Sequence, residues 1–132
     1  MITENFVSFE TAKLLKEKGF DVPCDSYYEW FESNVTLYKG HVPEFSKSNI
    51  NHNQFGDRIS RSSQSLALKW LREVYNLHIT IKPYITEEGI MYLFEIYKLE
   101  AEKFTLIKTK TGFEKCEEAA EFTIRYALEN LI

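Results

Sequence analysis

The sequence predicts an α+β fold: an antiparallel sheet, made of an N-terminal hairpin and a three-strand meander, packed by three helices in the order α-β-β-α-β-β-β-α. Three observations carry this reading. Three stretches place apolar residues at the three-and-four spacing of an amphipathic helix. Five others are aromatic, β-branched or alternating and are bounded by turn residues. Helices and strands do not alternate strictly, and the last three strands are joined by links too short for parallel crossovers.

The first helix is expected over about 8–18. The Ser8 hydroxyl can cap a free backbone N–H, Phe9, Ala12, Leu14 and Leu15 form the apolar stripe, and Lys13, Lys16, Glu17 and Lys18 face outward. Gly19 stops it, because only a residue free of Cβ enters positive φ cheaply, and Phe20 folds back on the last turn. Asp21 to Asp25 is a loop containing Pro23. The aromatic run from Tyr27 to Phe31 reads as a strand, Glu32-Ser33-Asn34 as a turn, and Val35 to Tyr38 as the return strand.

From Gly40 to Ser60 no period survives. The stretch reads as a loop of unusual length, functional in its own right or concealing a strand. Ser62 or Ser63 opens the second helix, about 64–75, whose stripe is Leu66, Trp70 and Val74 widened by Ala67 and Leu71, with Asn76 as a left-handed terminator. Leu77, Ile79 and Ile81 then alternate with His78, Thr80 and Lys82, the mark of a half-buried strand. After a turn at Glu87-Glu88-Gly89, the strand from Ile90 to Leu99 is apolar on both sides. Tyr92, Phe94 and Ile96 line one face; Met91, Leu93, Tyr97 and Leu99 line the other, broken by Glu95. A turn at Glu100–Lys103 leads into the strand Phe104–Lys110. The last helix, about 116–131, starts with Glu117, Glu118 and Glu121 near its positive dipole end and buries Ala119, Phe122, Thr123, Tyr126 and Ala127.

At 132 residues and 15.6 kDa the chain has the size of one domain, expected to span 1–132. Ten Phe, eight Tyr and two Trp, with 44% hydrophobic residues, argue against disorder. The net charge of −4 argues against a dedicated nucleic-acid binder. No run free of Asp, Glu, Lys and Arg exceeds nine residues, far short of the ~20 apolar residues of a membrane-spanning helix. The start, Met1-Ile2-Thr3-Glu4-Asn5, has neither the basic nor the apolar part of a secretion signal, and Cys24 and Cys116 do not form a disulfide framework. A cytoplasmic protein with two reduced thiols is expected.

Three segments share a pattern with known sequences. They are Glu4–Asp21 (ENFVSFETAKLLKEKGFD), Gln64–Val74 (QSLALKWLREV), and Phe113 followed by CEEAA at 116–120 and YALE at 126–129. Together they resemble a family of small uncharacterised proteins from prophages and mobile elements of gut bacteria. The resemblance covers less than half the chain but spans its length, and the stretch from Cys24 to Ile59 departs from it. It implies an intracellular, phage-associated setting and transfers no catalytic residue.

The chemistry-bearing residues have ordinary structural readings. His41, His52, His78, Cys24 and Cys116 show no close metal-ligand spacing, so no metal site and no cofactor are expected. Ser60, Ser62, Ser63 and Ser65 sit where capping explains them. Cys116 opens a helix, which favours a thiolate, but the glutamates beside it oppose one, and a half-buried inert thiol is expected. Glu87-Glu88 and Glu117-Glu118 belong to a turn and a helix start, and the five glycines form no phosphate loop.

Two surface readings remain. Met91, Leu93, Tyr97 and Leu99, with the aromatic Tyr28 and Trp30, are the candidate protein interface, since a small sheet covered on one side should be polar on the other. The apolar face is covered either by the chain's own N-terminal segment or long loop, or by another chain. Arg58, Arg61, Lys69 and Arg72, extended by Lys108 and Lys110, are a candidate patch for an anionic partner. The leading expectation is a non-enzymatic domain that binds another protein or itself, as a homodimer. The alternative is nucleic-acid binding through the basic patch. A third reading is a small-ligand binder or enzyme using the 40–60 loop.

Overall fold

The structure is a computed structural model that describes residues 2–39 and 49–132. The fold is α+β, with three helices and two three-stranded antiparallel sheets. Length alone suggests one domain; the chain groups into two compact units, Met1–Ser63 and Gln64–Ile132.

In the first unit α1 spans Phe9–Glu17. The Ser8 hydroxyl accepts the Thr11 N–H at 3.2 Å, which satisfies one free donor of the first turn. Gly19 has φ +89°, and the Phe20 N–H returns to the Leu15 carbonyl at 2.9 Å, which ends the helix and buries the Phe20 ring. Strands β1 (Ser26–Phe31) and β2 (Asn34–Tyr38) form the expected hairpin. Glu32 and Ser33 both take positive φ, giving the primed turn whose twist matches paired strands.

A third strand, β3 (Arg58–Arg61), pairs with the other edge of β1, giving the order β2-β1-β3. It lies in the stretch read from sequence as a loop, behind a 3-10 turn at His52–Gln54. Four residues, Arg-Ile-Ser-Arg, have too few apolar positions to show a period; pairing with β1 makes them a strand. Asn53 secures this segment: its Nδ2 donates to the Phe20 carbonyl at 2.9 Å and its Oδ1 accepts the Ser60 N–H at 2.8 Å. Residues 40–48 of the stretch, including His41, lie outside the described residues.

In the second unit α2 (Gln64–Tyr75) leads through Asn76, at φ +57°, into the meander β4 (Leu77–Thr86), β5 (Gly89–Glu100) and β6 (Lys103–Phe113), which ends in α3 (Cys116–Asn130). The sheet order is β4-β5-β6, antiparallel throughout. Hairpin and meander therefore belong to different sheets. Helices α2 and α3 pack on each other, and both pack on β4. Phe94 and Ile96 of β5, Leu71 of α2, and Ile124 and Leu128 of α3 are fully buried. Burial of each such side chain stabilises by about 1.5–3 kcal/mol relative to its exposed state.

Two stripes differ from expectation. α2 buries Gln64, Ala67, Trp70 and Leu71, while Val74 is exposed in the last turn. α3 buries Ala119, Ala120, Thr123, Ile124, Ala127 and Leu128. This arc is turned toward Leu128, which leaves Phe122 exposed and Tyr126 half-buried at its margin.

Candidate functional site

The register of the meander decides which residues share a face, because directly paired residues point the same way. Ile79 pairs with Ile96 and Ile81 with Phe94, so these residues face the helices. The other face is built from the pairs Tyr84–Met91, Lys82–Leu93, Thr80–Glu95 and His78–Tyr97, continued by Leu106 opposite Tyr97 and Phe104 opposite Leu99. Met91, Leu93, Tyr97 and Leu99 are thus brought together, as the alternation in β5 predicts. All four are half-buried, and no element of this unit covers them.

Sequence reasoning missed four residues that extend the face. Phe104 and Leu106 are 56% and 48% exposed. The His78 ring meets Phe104 edge-on at 5.2 Å, and Tyr97 meets Phe104 at 6.5 Å. Tyr84 reaches across to the backbone of β6, where its hydroxyl accepts the Gly112 N–H. The Phe104/Leu106 alternation was the available signal for two of them.

The charges on this face are paired with each other. Lys82 Nζ lies 2.5 Å from Glu95 Oε1, and the Tyr97 hydroxyl donates to Glu95 Oε2 at 2.6 Å. These hydrogen bonds hold the Glu95 carboxyl below its ordinary range and push the Lys82 and Tyr97 pKa values up. The face therefore presents apolar and aromatic groups around a self-neutralised centre.

The register also shows a bulge. Lys108 pairs with Ile96 but Leu106 pairs with Tyr97, so Ile107 is the extra residue. Strict alternation would set Lys108 and Lys110 beside Phe104 and Leu106. The bulge turns them to the helix face instead. There Lys110 Nζ stands 4.2 Å from the Phe122 ring centre and Lys108 Nζ 5.4 Å from that of Tyr126.

The aromatic pair placed in the interface from sequence lies on β1 of the first unit, in a different sheet from the meander. Tyr28 packs edge-on against Phe9 of α1 at 5.2 Å and donates to the Val7 carbonyl at 3.4 Å, so it is internal packing of the first unit. Trp30 is 47% exposed, with Lys13 Nζ 4.8 Å above its ring. Lys13, Lys16, Glu17, Trp30, Gly56 and Ile59 line an open groove of about 350 Å³. Lys16 is committed to structure: its Nζ donates to the Phe55 carbonyl at 2.8 Å and the Arg58 carbonyl at 2.6 Å. Burial lowers its pKa, opposed by Asp57.

The residues of the basic patch are divided between the two units, Arg58 and Arg61 in the first and Lys69 and Arg72 in the second. Arg58 and Arg61 point to opposite faces of β3, because their spacing is odd. Arg58 sits between the rings of Tyr27 and Phe55, 4.7 Å from each centre, and Arg61 lies 3.9 Å over Phe6. Lys69 pairs with Glu73 at 3.9 Å on α2, and Arg72 is exposed on the same helix.

His52 is buried and stacked on Tyr27 at 4.2 Å, and Tyr27 in turn stacks on Tyr38 at 5.0 Å. Among the described residues no group of three or more His, Cys, Asp or Glu is placed to hold a metal ion. Cys24 is buried, and desolvation with the neighbouring Asp25 pushes its thiol up to about 12. Cys116, read from sequence as half-buried, is exposed at the first position of α3 because the buried arc begins only at Ala119. No family model, curated protein or solved structure matches the chain.

Proposed function

We propose that this chain is a non-enzymatic protein-binding domain that docks a partner protein on the face of β4–β5–β6 away from α2 and α3. The supporting observation is the grouping of Met91, Leu93, Tyr97 and Leu99 with the exposed Phe104 and Leu106 on the side of the sheet away from α2 and α3. Half-buried aromatic and aliphatic anchors around a neutral centre suit a protein surface better than a phosphate backbone. Arg58 and Arg61, on opposite faces of β3, do not form one basic surface there, which favours the protein-binding reading. The phage-associated, intracellular setting rests on the resemblance of the three segments. Among the described residues no helix is long and apolar enough to cross a membrane.

Native mass spectrometry of the full chain, with Leu93→Glu as the variant, tests the proposal. A protein complex, with itself or with a partner, that Leu93→Glu abolishes while the circular dichroism spectrum is retained is the expected result. A 15.6 kDa monomer that captures no protein, or a complex indifferent to Leu93→Glu, overturns it.

A further inference from the structure

The sheet of the second unit has two outer edges, and they are not equivalent. β4 carries Pro83 in mid-strand, which has no N–H to offer a further strand. β6 has no proline, and all but two of its residues are exposed. Its outer backbone groups are open to pairing. β6 also carries Lys103, Lys108 and Lys110 and no carboxylate, in a chain whose net charge is −4.

We propose that the outer edge of β6 is a strand-addition site for an extended segment of another protein, with apolar side chains toward Phe104 and Leu106 and carboxylates toward Lys108 and Lys110. This rests on the protein-binding reading above and names the chemistry of the partner. The bulge at Ile107 creates the two-part surface: before it the edge shows an apolar pair on the open face, and after it a basic pair on the helix face. Main-chain hydrogen bonds provide affinity in strand addition, and alternate side chains provide selectivity.

Charge complementarity selects an acidic occupant. Among the described residues neither Lys108 nor Lys110 has a carboxylate partner; each ammonium rests on aromatic rings of its own unit. An acidic side chain across the edge completes an ion pair without breaking an existing one. A second copy of β6 fits badly, because two strands with lysines and no carboxylates repel when laid side by side.

The test uses the full chain and a fluorescein-labelled peptide, Glu-Thr-Glu-Val-Thr-Val, whose glutamates and valines point to opposite faces as the bulge requires, beside the same residues in reverse order and a version with lysine for glutamate. Binding is read by anisotropy, and amide hydrogen exchange locates it. The expected result is binding of one acidic order, weakened by salt, with new protection at β6 amides. Lys108→Glu/Lys110→Glu, folded by circular dichroism, weakens it about tenfold or more. Peptide binding is read independently of the native complex that Leu93→Glu tests, so failure here is separable from failure of the face-docking proposal. Equal binding of the lysine peptide, no binding of either acidic order, or β6 amides already protected in a dimer of the free chain overturns the proposal.

Discussion

The Tyr84 hydroxyl accepts a 2.9 Å hydrogen bond from the Gly112 N–H, joining β4 to β6 across the intervening β5. Gly112 takes φ +93° in the irregular stretch of β6 opposite Tyr92 and Phe94, where its N–H does not join the regular ladder. A side chain on the open face thus supplies a contact that the strand pairing leaves out. Tyr84→Phe keeps the ring and removes the acceptor. It is expected to cost about 0.5–1 kcal/mol in urea unfolding, at the low end for a lost hydrogen bond because the site is solvent-exposed. No loss would show that water serves the Gly112 N–H as well as the hydroxyl does.

Asn53 is expected to be the most sensitive polar position of the first unit. Its amide serves the Phe20 carbonyl and the N–H of fully buried Ser60. Asn53→Ala leaves the Ser60 N–H buried without a partner, at about 1–3 kcal/mol. Chemical denaturation measures the loss. Asn53→Asp keeps the acceptor but not the Nδ2 donor, so it should recover part of the stability.

The Lys82–Glu95–Tyr97 cluster sets a pH window for the open face. Glu95 has a depressed pKa, so its contribution is present above the ordinary carboxylate value of 4.5 and is lost as pH falls through the lower folded value. Lys82 has a raised pKa, so its contribution is full below 10.5 and is lost as pH rises through the higher folded value. The cluster is therefore intact at neutral pH. Carbon-13 titration of Glu95 should give a midpoint below that of an ordinary glutamate, and Lys82→Met should return it upward. An unchanged midpoint in Lys82→Met would mean that the Tyr97 hydroxyl alone holds the carboxylate.

The two thiols should differ sharply toward a thiol reagent. Cys116 is exposed, whereas Cys24 is buried with its pKa pushed up to about 12. One equivalent is expected to react quickly in the native state and the second only on unfolding. Cys116→Ser should abolish the fast phase. Two fast equivalents would show that the loop around Cys24 opens.

Local chemistry made the helices and tight turns legible in the sequence. Ser8 and Gly19 bound α1, Asn76 ends α2, and the turn at Glu32-Ser33 is where the hairpin reverses, because caps and positive-φ positions act within a few residues. The two faces of β5 were equally readable, since side chains alternate along a strand whatever its neighbours are.

What the residue order alone did not decide was every feature set by a distant partner. β3 is a strand because β1 lies beside it, not because Arg-Ile-Ser-Arg prefers one. Lys108 and Lys110 lie over Phe122 and Tyr126 because the pairing with β5 skips Ile107, and no pattern within β6 announces that skip. Arg58 and Arg61 looked like one patch until the pleat of a paired strand sent them to opposite faces. Sequence by itself determined where the chain turns and which residues seek burial. Register across strands is a non-local choice, and only the tertiary structure decided which side chains meet.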